Sequence, residues 1–203
     1  MRQWRVVLLA VIAVATLAPF ASAHFKLLEP QSWLVEADNG DPQKMGPCGG
    51  TSANAGMPSN IVGKVTGGQK IRLKVQETVF HPGHYRVALA VNSRAQLPSD
   101  PETTTRDTER GPWSVSAKIQ NPPQIPVLAD GLFAHTTRAT GPFETDIQLP
   151  NISCEKCTLQ IVEFMAEHGL NRDGGYFYHH CADLQITADR TKPITTGWPA
   201  QPR

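Results

Sequence analysis

From residue 70 to residue 188 apolar and polar positions repeatedly alternate with a period of two. Residues 70–75 (KIRLKV) place Ile71, Leu73 and Val75 on one face, and residues 85–91 (YRVALAV) do the same through Val87, Leu89 and Val91. Residues 158–164 (TLQIVEF) and 182–188 (ADLQITA) follow, with a weaker run at 145–149 (TDIQL). Such runs predict strands of sheets with one buried face. No long segment keeps helical spacing without Gly or Pro. Many short strands separated by turn residues predict an all-β, immunoglobulin-like or fibronectin-like antiparallel β-sandwich. Long loops fill the remainder: residues 38–60 are rich in Gly, Pro and Asn, and residues 93–111 are polar and charged. Residues 121–126 (NPPQIP) are excluded from a central strand by their prolines.

The first 23 residues break this pattern. Arg2 and Arg5 precede an apolar run from Val6 to Leu17, and Ala21-Ser22-Ala23 forms a small-residue cleavage site. This predicts a secretory signal peptide over residues 1–23, cut after Ala23. The apolar run, about 12 residues, is short for a membrane span. A sandwich domain over residues 24–190 and an extended tail over residues 191–203 are expected to follow. Removing Arg2 and Arg5 leaves 17 Lys plus Arg against 18 Asp plus Glu. With charge near zero and no basic stretch, nothing points to nucleic acid. The expectation is a secreted or periplasmic monomer, free of the membrane after cleavage.

Cys48, Cys154, Cys157 and Cys181 are an even set in an exported chain, which favours disulfides. They admit three pairings; the one expected here is Cys48–Cys181 with Cys154–Cys157. A zinc site is weighed against by the single CxxC and by oxidising conditions. A redox role for that CxxC lacks the expected βαβ context.

Cleavage after Ala23 gives His24 a chemistry no internal residue has. Its free α-amine and its ring Nδ1 can chelate one metal in a small ring. A second stretch, Phe80-His81-Pro82-Gly83-His84, lies at a turn before a strand. Pro82 stiffens that turn and Gly83 frees it for unusual dihedrals, so His81 can be held in one direction. A third stretch runs from Glu163 through His168 to Tyr176, Tyr178, His179, His180 and Cys181. The plain alternatives are loop histidines at the surface and core aromatics beside a disulfide.

Taken together, an N-terminal His24, the HPGHYRV turn and YHHCADLQI (178–186) resemble a lytic polysaccharide monooxygenase. The opening HFKLLEP and the GPCGG segment (46–50) are similar to bacterial chitin-binding-like members of that group. The resemblance implies a histidine brace holding one copper per chain: the amine and Nδ1 of His24 with Nε2 of His81. It implies an axial Tyr178, three residues before Cys181, and supporting roles for His168, Glu163 and His84. It further implies oxidative cleavage of an insoluble polysaccharide such as chitin or cellulose, with an electron donor and oxygen or hydrogen peroxide as partners. Tyr176 stands where fungal members carry glutamine, and residues 92–143 match no motif of the family. Three nitrogen donors suit copper in both oxidation states, whereas zinc favours a fourth ligand. Two other classes compete: a copper-delivery protein on the same fold and a non-catalytic carbohydrate-binding sandwich. A glycosidase would need a carboxylate pair that no motif here displays. A polysaccharide surface would use exposed aromatic or polar residues, with Trp33, Trp113 and Trp198 as candidates.

Overall fold

A computed structural model describes residues 24–199. The signal peptide expected at residues 1–23 and the last four residues of the tail lie outside them. Ten strands form two facing sheets and a hairpin. One sheet carries β1 (His24–Glu29), β3 (Lys70–Val79) and β8 (Phe143–Gln148) in the order β1-β3-β8. The other orders β2 (Val62–Thr66), β10 (Phe177–Thr187), β9 (Cys154–Met165), β4 (Gly83–Ala90) and β7 (Val127–His135) as β2-β10-β9-β4-β7. β5 (Thr103–Thr108) and β6 (Gly111–Ala117) pair as the hairpin. The only helical element among the described residues is a 3₁₀ turn at Arg94–Gln96. The sandwich expectation therefore holds, with one difference: β2 runs parallel to β10 rather than antiparallel.

The period-two residues meet between the sheets. Ile71, Leu73 and Val75 of β3 face Val87 and Leu89 of β4, Leu159 and Ile161 of β9, and Leu184 and Ile186 of β10 in one buried cluster. Burying each such side chain contributes about 1.5–3 kcal/mol. β9 and β4 are buried on both faces, because the loop after β1 and the β5–β6 hairpin cover the outer side of the five-stranded sheet. Hydrogen bonds show that cover: Gln160 Nε2 donates to the Pro47 carbonyl (2.9 Å), and His168 N donates to Ser114 Oγ (3.2 Å).

Residues 93–111, expected to be loop, contain the 3₁₀ turn and β5. β5 (TTTRDT) is mostly exposed on both faces, so it carries no alternation to read. Both disulfides are as expected, Cys48–Cys181 and Cys154–Cys157. The first ties the loop after β1 to β10 across a sequence separation of 133 residues, and closing so long a loop stabilises by about 2–5 kcal/mol. Two disulfides fit an exported protein, and no helix among the described residues is long and apolar enough to cross a membrane. The described part of the tail is docked. Asn151 Nδ2 donates to the carbonyls of Asp189, Lys192 and Pro193 at 3.0–3.1 Å, and Trp198 packs against the core.

One buried pair gives the fold a testable pH dependence. His180 lies inside the sandwich with Nε2 against the Phe25 carbonyl (3.0 Å), and its Nδ1 lies 3.1 Å from Glu36 Oε1. Burial pushes the Glu36 carboxyl up to about 7 and the His180 imidazole down to about 4. A carboxyl raised above its unfolded value favours folding at low pH and loses that contribution as pH rises through about 7. Glu36→Gln removes this ionisation. The variant should gain about 1–3 kcal/mol over the parent at pH 8 and little at pH 4. Thermal melts of both proteins at the two pH values check this; an equal difference at both would contradict it.

Candidate metal centre

Three chain segments converge at one end of the sandwich. His24 opens β1 and is the register partner of Val79, the last residue of β3. His81 follows two residues later, in the turn between β3 and β4. That turn is packed closely against β9: a Cβ on Gly83 would fall 1.9 Å from the Phe164 carbonyl oxygen, so only glycine fits there. The Pro82 carbonyl accepts from Ala166 N at 2.7 Å, so the turn is pinned on both sides of Pro82. Tyr178 enters from β10 with its side chain on the inner face.

The rings here form two pairs. The His24 and Tyr178 rings meet edge-on with centroids 5.2 Å apart, and the His81 and His168 rings lie 4.8 Å apart. All four residues are buried. Burial first, and then repulsion from His168 and His24, holds the His81 imidazole down to about 4. His81 is therefore neutral at neutral pH, as a metal ligand must be. Its Nδ1 is buried with no hydrogen-bond partner; the nitrogen a brace would use is the other one, Nε2.

His24 carries its own support. Its Nε2 lies 3.1 Å from Asp41 Oδ2. No group of three or more His, Cys, Asp or Glu side chains forms a metal cage among the described residues. A brace does not require one: it draws two side chains, and its third nitrogen is the amine of a chain beginning at His24. The donor set of a brace would be met here by His24 and His81 as the side-chain ligands.

His168 sits in the β9–β10 connection. Its Nδ1 bonds the Gly169 carbonyl, and Ser114 Oγ of the hairpin accepts from its backbone N–H. Trp113, next to Ser114, bridges to Gly169 through its backbone. The segment 92–143, unplaced by motif, thereby supplies one wall of the site. Trp33 instead lies under the Arg94 guanidinium, 3.6 Å from its ring. Asn171 Nδ2 donates to Tyr178 Oη at 3.2 Å.

Glu163 belongs to the interior layer beside this site. It is the register partner of Tyr178 on one side and of Tyr85 on the other, so the three side chains form one inward row. Tyr85 Oη donates to Glu163 Oε1 at 3.1 Å. Burial, reinforced by the Glu77 carboxylate, pushes Glu163 up to about 8, so it holds a proton at neutral pH. Glu77 faces it from β3 and pairs with His135 Nε2 at 2.9 Å.

His84 does not join the site. Strand alternation turns it to the outer face, where its ring packs on Phe164 at 5.2 Å. Asp130 and Arg86 are its charged neighbours there. His179 also faces outward, buried under the loop, with Nε2 against Asp100 Oδ1 (2.8 Å). Asp41, Asn171 and Ser114 were missed by the sequence reading, because none stands in a motif or at a strand-face position.

No family model matches this chain, and no curated protein matches it.

Proposed function

We propose that the chain is an exported histidine-brace copper protein acting as a lytic polysaccharide monooxygenase. The observation that carries this reading is a buried His81 two residues after Val79, the register partner of His24, which opens the sandwich domain. His24 and His81 bind one copper, with the α-amine of His24 as the third donor. Copper supplies one-electron chemistry toward oxygen or peroxide, which no side chain provides. Tyr178 closes one side of the site and is steadied by Asn171. His168 lies against the His81 ring and orients it. Glu163, protonated at neutral pH, holds a proton in the row that includes Tyr178. The substrates on this reading are an insoluble glycan such as chitin or cellulose, an electron donor, and oxygen or hydrogen peroxide.

The test is to incubate the copper-loaded chain beginning at His24 with chitin, cellulose and xylan, plus reductant and peroxide. Oxidised oligosaccharides by mass spectrometry are the expected result. A second reading, copper handling without oxidation, is favoured by one feature: both histidines are buried and a carboxylate stands beside His24. Tight copper binding with no oxidised product from any of the three glycans would select it.

Tyr178→Phe is expected to keep copper, because His24 and His81 would supply the donors and the phenol only packs beside the His24 ring. Affinity should change by less than about tenfold, under 1.4 kcal/mol, while the electron paramagnetic resonance spectrum of the Cu(II) form shifts. A loss as large as that of His81→Ala would give Tyr178 a primary ligand role instead.

A further inference from the structure

We infer that Asp41 is a positioning residue that sets the tautomer of His24 and strengthens it as a metal donor. This rests on the brace reading above. A neutral imidazole has one N–H and one bare nitrogen. A carboxylate only accepts, so Asp41 Oδ2, 3.1 Å from Nε2, requires the proton to be on Nε2. Nδ1 is then left with its lone pair, and it is the ring nitrogen adjacent to the α-amine that can close the small chelate. Carboxylate partners of metal-bound histidines fix the ring's orientation and strengthen it as a ligand.

The carboxylate is held rather than adventitious. Asp41 Oδ2 also accepts from Asn39 Nδ2 (2.9 Å), Asp41 N donates to Asn39 Oδ1 (3.2 Å), and the Asp41 carbonyl accepts from Ala37 N (2.8 Å). This short loop is fastened to β1 beside His24. Phe25 N donates to the buried Gln43 Oε1 at 3.0 Å. Thr78 Oγ1 lies 3.0 Å from the His24 carbonyl and 2.7 Å from that of Asn39. Gly40, at φ +96°, lets the loop approach so closely that a Cβ there would lie 2.0 Å from the Phe25 oxygen.

As an ion pair the contact would contribute little, since the Asp41 side chain is 36% exposed. Its second oxygen, Oδ1, is buried without a hydrogen-bond partner, which costs stability. An arrangement with small gain and a real cost fits a role in holding the ring.

The experiment compares the parent chain beginning at His24 with Asp41→Asn and Asp41→Ala. Nitrogen-15 NMR of the metal-free proteins reads the His24 tautomer, and calorimetric titration with Cu(II) reads affinity. The parent should show the Nε2–H form. Asparagine keeps an acceptor, so Asp41→Asn should retain that tautomer with a modest loss of affinity, and it supplies the test if Asp41→Ala fails to fold. Asp41→Ala should show mixed tautomers and bind Cu(II) about 10–100-fold more weakly. An Nδ1–H form in the parent, or parent-like affinity in both variants while His81→Ala loses copper, overturns the role of Asp41 and leaves the brace standing. Parent-like affinity in His81→Ala itself overturns the brace and this inference with it.

Discussion

Replacing His81 with alanine is expected to lower copper affinity by about 100-fold or more, roughly 2.7 kcal/mol, and to abolish oxidative activity. The expectation follows from how the turn is built. Gly83 and Pro82 fasten residues 81–83 to β9, so no neighbouring side chain can swing in to replace the lost ring. His168, the nearest imidazole, is held by the Gly169 carbonyl and by Ser114. His81→Ala should also fold, since a buried neutral ring with an orphaned nitrogen contributes little polar stability. His84→Ala is the matched control. It sits three residues away but faces Phe164 on the outer side of the sheet, so copper affinity should stay within about threefold, under 1 kcal/mol. Calorimetric titrations of the two variants check both statements. Equal losses at the two positions would mean that the strand alternation assigned to β4 does not govern the site.

The largest stability effect is expected at Asp130. Arg86 on β4 and Asp130 on β7 form an ion pair whose side chains are 5% and 0% exposed. Arg86 Nε and Nη2 donate to Asp130 Oδ2 at 2.9 and 2.7 Å, Gln120 N donates to the same oxygen at 2.9 Å, and Gly131 N donates to Oδ1 at 2.9 Å. Asp130→Ala strands a guanidinium and two backbone donors away from water. The expected cost is about 3–5 kcal/mol, a fall in Tm of about 6–20 °C for a domain of this size. Replacing both partners by apolar residues, Arg86→Met with Asp130→Leu, removes the stranded charge and should cost less than Asp130→Ala alone. Thermal unfolding followed by circular dichroism decides this. A double variant less stable than the single one would contradict the account. The pair matters to the metal centre because β7 flanks β4 where it begins, with Gly83 opposite His135.

The strands readable in sequence are those in which apolar residues recur at every second position, β3, β4, β8, β9 and β10, although β4 and β9 are in fact buried on both faces. The others were hidden for distinct physical reasons. β1 contains two register shifts, between His24 and Phe25 and between Leu27 and Glu29, which break its period. β5 is mostly exposed on both faces, and β7 is half-buried along nearly its whole length, so neither has a face to announce. In the site, His24 was legible because a cleavage motif ends beside it, and His81 because a Pro-Gly turn follows it. Asp41 was not. It reaches His24 only because Gly40 and Gln43 fold the loop back onto β1, a tertiary fact with no local signature. His84 entered only through the resemblance, as a supporting residue, and in the structure its ring packs on Phe164 at the outer face of the sheet.

The central claim is that the amine of His24 is a ligand, and a copper titration of two chains tests it most directly. One chain begins at His24; the other keeps a single extra residue before it. Only the first places a free amine on the chelating residue, and that amine, with an ordinary pKa of about 8, must lose its proton to bind. The account predicts one tightly bound Cu(II) per chain beginning at His24, with affinity falling as pH drops below neutral. The extended chain should bind about 100-fold more weakly or worse, roughly 2.7 kcal/mol. Equal affinity in the two chains would contradict it.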